Sequence, residues 1–187
     1  MADDKTLLQK AQTFDEEALA EIFDRYYVPL YRFIYHHVRH VETAQDMASE
    51  VFQRFLAQLR EGHGPRNHLK AWLFRVAHNL IVDESRRLVH RDHQTLDDKL
   101  PAEHASMDEQ AHQAILAEAA RDALHLLTPK QRSIVILKYL HGMDNAEVAR
   151  IVGLPITAVK ALQHRALGTL RRSLAGSAPS LAKESAL

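Results

Sequence analysis

The sequence predicts an all-α protein of two small helical domains joined by a flexible linker. Three observations lead to this fold class. Apolar residues recur at helical spacing through most of the 187 residues, no window alternates like a β-strand, and the helical pattern dissolves between residues 91 and 107. We therefore expect a first domain over residues 1–90, a linker over 91–107, a second domain over 108–175 and a disordered tail over 176–187.

Four helices are predicted in the first domain. A short helix spans Asp4 to Gln12, and Asp15 caps a long helix that Pro29 is expected to kink. Thr43, with Asp46 three residues later, resembles a capping box that begins the third helix. The fourth runs from about residue 67 to 89, and Trp72 lies on its apolar stripe, so we interpret Trp72 as a core residue rather than a stacking platform.

The second domain is predicted to begin with a helix over residues 108–127. Thr128, Pro129 and Gln131 then give a strong helix-start signal. Asp144 caps a short helix that Gly153 ends, and a long helix follows from about residue 156 to 174. A short capped helix, a glycine-containing turn and a longer helix with a basic face are typical of a helix-turn-helix. The alternative is a three-helix bundle that binds protein through a charged face.

Charge is segregated along the chain although the net charge is zero. Residues 1–92 carry a net −1, residues 93–127 a net −5, and residues 128–187 a net +6, from nine Lys/Arg against three Asp/Glu. A basic C-terminal segment behind an acidic connector favours DNA as a ligand. A chance fluctuation of surface charge is the alternative when this pattern is considered alone.

Several classes of protein are excluded or disfavoured. The chain has no cysteine, which excludes disulfides, a Cys-ligated zinc finger and a thiol nucleophile. It has no run of about eighteen apolar residues and starts with an acidic, polar segment, so we expect a cytoplasmic protein without membrane insertion. No catalytic motif is present, and we expect neither enzyme activity nor a cofactor. His36 and His40 have a spacing that can hold zinc, but no third ligand is obvious, so we interpret the histidines as surface or interface residues and predict no metal site.

Three segments carry a resemblance to a known family. LLTPKQRSIVILKYLHGMDNAEVARIVGLPITAVKALQHRALGTLRR is similar to region 4 of the extracytoplasmic-function (ECF) sigma factors of the sigma-70 family. TAQDMASEVFQRF resembles region 2.2 of that family, and KAWLFRVAHNLIVDESRR resembles regions 2.3 and 2.4. The resemblance implies a sigma factor that binds core RNA polymerase and directs promoter-specific initiation through the −10 and −35 elements. It also implies contacts with the β′ coiled coil and the β flap of polymerase, with promoter DNA and with an anti-sigma factor.

The resemblance also assigns site residues. Asp46 and Glu50, four residues apart on one helix face, are expected to bind polymerase together with Phe52. Contacts with the −10 strand are expected from a glycine-containing loop and the helix after it: Gly62, His63, Gly64, Arg66, Arg75, His78, Asn79, Arg86 and Arg87. Contacts with the −35 element are expected from the last helix: Thr157, Lys160, Ala161, Gln163, His164, Arg165 and Arg171.

The last helix departs from the family pattern at two positions. Leu162 and Gln163 stand where the family commonly has Arg and Leu, so Gln163 or His164 is expected to read bases in place of the missing arginine.

Two other kinds of function fit parts of the chain. A stand-alone helix-turn-helix regulator with an N-terminal sensing or dimerisation domain explains the second domain but not the acidic motif or the WLFRVAHN segment. A helical interaction protein, such as an anti-sigma antagonist, is disfavoured by the basic second domain.

Overall fold

The computed structural model describes residues 3–90 and 119–184, and the regular structure in these two ranges is helical. The first range contains α1 (Asp4–Ala11), α2 (Glu16–Val38), α3 (Val41–Arg60) and α4 (Leu69–His90). The second contains α5 (119–125), α6 (Pro129–Val135), α7 (Asn145–Val152) and α8 (Ile156–Glu184). The predicted all-α class is confirmed. The predicted linker and the start of the helix after it, residues 91–118, lie outside the described residues.

We call α1–α4 the N-terminal unit. Asp15 caps α2 as predicted, its side chain accepting a hydrogen bond from Ala18 N at 2.9 Å. α2 continues through Pro29 without interruption. The four helices bury a core of large apolar side chains, of which Phe33, Leu73 and Phe74 are completely inaccessible to solvent.

The cap of α3 differs from the prediction. α3 begins at Val41, and its N-cap is His40, whose Nδ1 accepts a hydrogen bond from Thr43 N at 3.3 Å. Thr43 is therefore inside the first turn rather than before it. Histidine is not among the preferred N-cap residues, so sequence preference favoured the nearby threonine.

We call α5–α8 the C-terminal unit. Thr128 and Gln131 form the predicted capping box at the start of α6, and Asp144 and Glu147 form a second at the start of α7. After α6 the backbone widens into a π-turn at Ile136–Leu140, in which His141 N donates to Ile136 O at 3.2 Å.

The final helix is longer than its apolar pattern predicts. α8 was expected to end near Leu174 and continues to Glu184, through most of the segment predicted as a disordered tail. A helix that already exists extends without a new nucleation step, and alanine, leucine and lysine in this segment are good helix formers, whereas Gly176 and Pro179 within it are not. Residues 185–187 lie outside the described residues.

The two units share one hydrophobic core. Ile134, Leu137 and Val148 of the C-terminal unit belong to the same cluster of buried side chains as Phe33 and Phe74 of the N-terminal unit. α7 packs directly against α4. This close association of the units was not predicted. Within the described ranges, no helix is long and apolar enough to cross a membrane.

Candidate polymerase and nucleic-acid interfaces

The helix-turn-helix is formed by α7 and α8. Gly153 ends α7 in the left-handed region, with φ 67°, a backbone conformation that glycine adopts without the cost a side chain would impose. Val148 of α7 and Val159 of α8 are both fully buried, and they fix the two helices against each other. The opposite face of α8 is left on the surface.

The residues predicted for the −35 element lie along this outer face of α8. Gln163 is half-buried. The other six are exposed: Thr157, Lys160, Ala161, His164, Arg165 and Arg171. Gln163 Nε2 donates a hydrogen bond to the hydroxyl of Tyr139 at 2.8 Å. Tyr139 is 53% exposed on the adjoining π-turn, and no pattern in the sequence predicts that its side chain would reach α8.

The loop between α3 and α4 has the geometry of a closely packed turn. Gly62 has φ 70°, and a Cβ on Gly64 would lie only 2.6 Å from Leu59 Cδ2, so a side chain there would force the Leu59 side chain to shift. Gln12 Nε2 donates to Pro65 O at 3.4 Å and ties the loop to the segment after α1. His63 and Arg66 are exposed on this loop.

A cleft of about 360 Å³ opens beside this loop. Its basic and polar lining includes Arg66, Asn67, His68 and Lys70 from the N-terminal unit. Glu147 and Arg150 of α7 line the other side, so the cleft lies between the two units.

Most of the predicted −10 residues on α4 are exposed. Arg75 and Asn79 are one turn apart, and Arg86 and Arg87 follow two turns later. Arg86 lies 3.9 Å from Asp83, and Arg87 lies 3.8 Å from Glu84. Both ion pairs are weak and screened by solvent. The guanidinium groups can therefore turn toward a phosphate at little cost.

His78 does not lie with these residues. It is only 4% exposed, and its Nδ1 lies 3.1 Å from Ser133 Oγ of α6. The same hydroxyl lies 2.9 Å from Nε2 of His37, which projects from α2. We call His37, His78 and Ser133 the histidine–serine cluster. In this structure His78 faces the C-terminal unit rather than solvent, because the amphipathic pattern of α4 does not reveal that a second unit covers this side of the helix.

The hydrogen bonds of the histidine–serine cluster can be satisfied with both rings neutral. His37 Nδ1 lies 2.9 Å from Phe33 O, which can only accept, so Nδ1 carries the proton and Nε2 accepts from Ser133. The hydroxyl proton of Ser133 is shared with Pro129 O at 3.0 Å, and His78 Nδ1 donates to Ser133 Oγ. Both rings are neutral in this arrangement.

Burial at the interface holds the histidines neutral. Desolvation, with a smaller contribution from the positive charge of Arg132, lowers the pKa of His37 to about 3. Desolvation likewise lowers the pKa of His78 to about 4 and that of His141 to about 4. The His141 ring packs edge-on against Phe74, with ring centroids 4.9 Å apart.

Arg132 is a buried cation that the sequence reasoning did not single out. Its guanidinium donates to Leu124 O at 3.0 Å, His125 O at 3.2 Å, Leu127 O at 3.4 Å and, across the interface, to His37 O at 3.4 Å. Desolvation lowers the pKa of Arg132 to about 10, so it stays charged at neutral pH. Its role is to satisfy carbonyls at the end of α5 and of α2.

The residues predicted to bind polymerase lie on α3. Asp46 is exposed, and Glu50 forms an ion pair with Arg54 on the next turn at 2.6 Å. Phe52 is 8% exposed and packs against Phe23, with ring centroids 4.8 Å apart. Phe23 itself is 43% exposed, so an acidic surface and an exposed aromatic ring lie on neighbouring helices.

No metal site is found in the described parts of the chain. Within residues 3–90 and 119–184, no group of three or more histidine, cysteine or acidic side chains could hold a metal ion. His40 is engaged as the cap of α3, while His36 Nδ1 is buried without a hydrogen-bond partner in the described structure.

Comparison with known proteins matches both units. The family model "Sigma-70 region 2" matches residues 22–91, and "Sigma-70, region 4" matches residues 117–170. The ECF RNA polymerase sigma factor BldN of Streptomyces coelicolor is 33% identical over 170 residues, covering 90% of this chain; the chain spans 64% of that relative's length. The ECF sigma factor SigW of Bacillus subtilis is 24% identical over 180 residues, covering 91% of this chain and 96% of SigW.

Two solved structures share the fold. CnrH, in complex with the cytosolic domain of CnrY, has a TM-score of 0.71 at 22% identity, covering 92% of this chain and 97% of CnrH. RpoE of Bartonella quintana, in complex with the anti-sigma factor NepR, has a TM-score of 0.66 at 22% identity, covering 83% of this chain and 95% of RpoE. Matches to both family models in their expected order, together with these relatives, establish the family. The chain belongs to the sigma-70 family and is a sigma factor of the ECF group.

Proposed function

We propose that this protein binds core RNA polymerase and directs it to promoters by contacting the −10 and −35 elements. The observation that carries the proposal is the presence, in one chain, of both sigma-70 regions, each with its predicted contact residues on the surface apart from His78 and Phe52. The catalytic chemistry belongs to polymerase, and this chain supplies recognition.

The outer face of α8 is suited to the −35 duplex. Lys160, Arg165 and Arg171 are exposed cations on one helix that a major groove can admit, and they provide phosphate contacts. Gln163, whose amide is held by Tyr139, and His164 are the side chains that can read base edges.

The α3–α4 loop and the exposed face of α4 are suited to the unpaired −10 strand. A base removed from the stack needs a pocket and a grip on its backbone. The cleft beside Arg66 and Lys70 offers a pocket, and Asn79 offers both a donor and an acceptor.

The partners follow from these surfaces. The acidic face of α3 complements a basic surface on polymerase, which we assign to the β′ coiled coil, and the C-terminal unit is assigned to the β flap. RpoE was solved with an anti-sigma factor, which supports an anti-sigma partner for this chain as well.

Run-off transcription tests the function directly. Core polymerase, the full chain and DNA from upstream of its own gene are expected to give a discrete transcript that is absent when the chain is omitted. A stand-alone regulator would give no transcript with core polymerase alone and would not comigrate with it. Either result would refute the proposal.

Replacement of Lys160 by alanine is expected to weaken binding to promoter duplexes of any sequence. One lost phosphate contact lowers the slope of log K against log salt by roughly 0.9. The measurement is a titration of fluorescent duplex at several salt concentrations. Lys10→Ala, which removes an exposed lysine from α1, is the matched control and should keep the wild-type slope. A wild-type slope in Lys160→Ala would remove this residue from the DNA interface.

Replacement of Asp46 by alanine is expected to lower the affinity for core polymerase about tenfold, since it leaves a basic partner unpaired. Asp46 is exposed, so helicity and thermal stability should not change. Asp83→Ala, which removes an exposed carboxylate from α4, is the control. Interferometry with immobilised core polymerase measures both variants, and equal affinities would refute the assigned role.

A further inference from the structure

The turn between α1 and α2 carries an aromatic residue in a backbone conformation that disfavours it. Phe14 has φ 57°, in the left-handed region, and its N donates to Ala11 O at 3.0 Å. Asp15 N donates to Lys10 O at 3.3 Å, and the two bonds together form a Schellman motif that ends α1. The left-handed position of this motif is most often glycine, because a side chain there costs free energy. Phe14 is nevertheless 39% exposed, so burial of its ring offsets only part of that cost.

The turn that carries Phe14 lies beside the α3–α4 loop, which is proposed to contact the −10 strand. Gln12 Nε2, two residues before Phe14, donates to Pro65 O of that loop at 3.4 Å. Pro65 is buried, and Arg66 follows it on the surface. Leu8, one turn before Gln12 on α1, lines the cleft together with Arg66. The α1–α2 turn and the α3–α4 loop therefore form one continuous surface.

The chemistry around Phe14 favours a base as its ligand rather than a phosphate. Asp15 caps α2 directly after Phe14, and Glu16 and Glu17 are exposed in the first turn of that helix. These carboxylates repel phosphates, so the turn itself gives no grip on the backbone of a strand. Arg66 on the neighbouring loop supplies a cation for a phosphate. An aromatic ring supplies a flat face on which an unpaired base stacks.

We infer, on the basis of the proposed function, that Phe14 is a stacking platform for one unpaired base of the promoter strand that the α3–α4 loop contacts. Stacking uses the face of a base and not its edge, so this position requires a base but tolerates any of the four. In a duplex both faces of each base are covered by its neighbours. The contact with Phe14 therefore forms only after the strands separate, and it stabilises the melted promoter rather than the duplex.

The test compares Phe14→Leu with Phe14→Tyr. Both variants keep a side chain in the left-handed backbone conformation, but only tyrosine keeps the aromatic face, so Phe14→Tyr is the matched control. Fluorescence anisotropy measures binding of a labelled single-stranded oligonucleotide, the non-template strand from upstream of the chain's own gene, to polymerase assembled with each full-length variant. A second set of oligonucleotides carries one abasic site at each position in turn. Circular dichroism checks that each variant keeps its fold.

Phe14→Leu is expected to bind the intact oligonucleotide about fivefold to tenfold more weakly than wild type, and Phe14→Tyr to stay within about twofold of it. An abasic site at one position should weaken wild-type binding by a similar factor. The same abasic site should have no further effect on Phe14→Leu, because the two changes remove the same contact. Oligonucleotides with each of the four bases at that position should bind wild type about equally.

Equal binding of the intact oligonucleotide by wild type and Phe14→Leu would overturn the inference. Abasic sites that weaken both proteins equally at every position would show that the ring meets no base, and this also overturns it. A Phe14→Leu variant that loses affinity for core polymerase but not for the oligonucleotide would assign the ring to a protein surface instead. Failure of the wild-type assembly to bind the oligonucleotide more tightly than core polymerase alone overturns the proposed function itself, which separates that failure from the other three.

Discussion

Replacement of Phe74 by alanine is expected to lower the free energy of unfolding by about 3–5 kcal/mol, the usual cost of removing a fully buried phenyl ring. Phe74 is completely inaccessible to solvent. Its ring packs against Phe33 of α2 at a centroid distance of 5.4 Å and against His141 of the C-terminal unit at 4.9 Å. The cavity would therefore weaken the N-terminal core and the contact between the units together.

Urea denaturation followed by circular dichroism measures this effect. Phe23→Ala removes the same ring from a site that is 43% exposed, so it should cost less than half as much. The Phe23 ring lies next to the proposed polymerase face. Phe23→Ala therefore also distinguishes a loss of polymerase binding from a loss of stability. If Phe74→Ala and Phe23→Ala lowered the free energy of unfolding by the same amount, Phe74 would not be part of a shared core.

The features predicted correctly from the sequence are local ones. The caps Asp15, Thr128 and Asp144 each act on a backbone N–H three residues later, so the signal and the structure lie in the same short segment. The left-handed residue Gly153 and the stripe through Val159 are equally local. Sequence spacing alone places the exposed face of α8.

The interface could not be predicted in the same way. Ser133 meets His37 across 96 positions and His78 across 55, and no periodicity within one helix encodes such a contact. Because His78 is polar, the pattern of α4 predicts that it is exposed and free to contact DNA. Its burial against a second unit depends on the tertiary arrangement, which that pattern does not encode. The π-turn that directs His141 toward Phe74 likewise has no propensity signal.

Acidification is expected to separate the two units before it unfolds them. In the structure, where the two units are packed together (the closed form), the pKa values of His37, His78 and His141 are lowered to about 3, 4 and 4 from the ordinary value of 6.5. When the two units separate (the open form), these rings return to water and bind more protons. The closed form is therefore fully favoured above pH 6.5 and loses stability as the pH falls from 6.5 toward 4. At about pH 5.5 each histidine favours opening by about tenfold.

The groups that face these rings reinforce the effect, since most are cationic. The neighbouring charged and titratable side chains come from α2, α4, α5 and α6: Arg32, His36, Arg39, Lys70, Arg121, Asp122, Lys130 and Arg132. Of these, only Asp122 is an acid, and it is paired with Arg39 at the edge of the interface. A proton added to His37 or His78 thus meets repulsion rather than a counter-ion.

Energy transfer between dyes on Gln53→Cys and Ala175→Cys, recorded from pH 8 to pH 5 with circular dichroism in parallel, measures the opening. Transfer should fall below pH 6.5 while helicity is retained. His78→Asn keeps a donor for Ser133 but cannot titrate, so it should reduce the effect at about pH 5.5 by about tenfold. His63→Asn, at a site whose side chain is 74% exposed, should leave the titration as in wild type. A transfer efficiency that stays constant to pH 5, or that falls only together with helicity, would show that the buried histidines do not control the contact between the units.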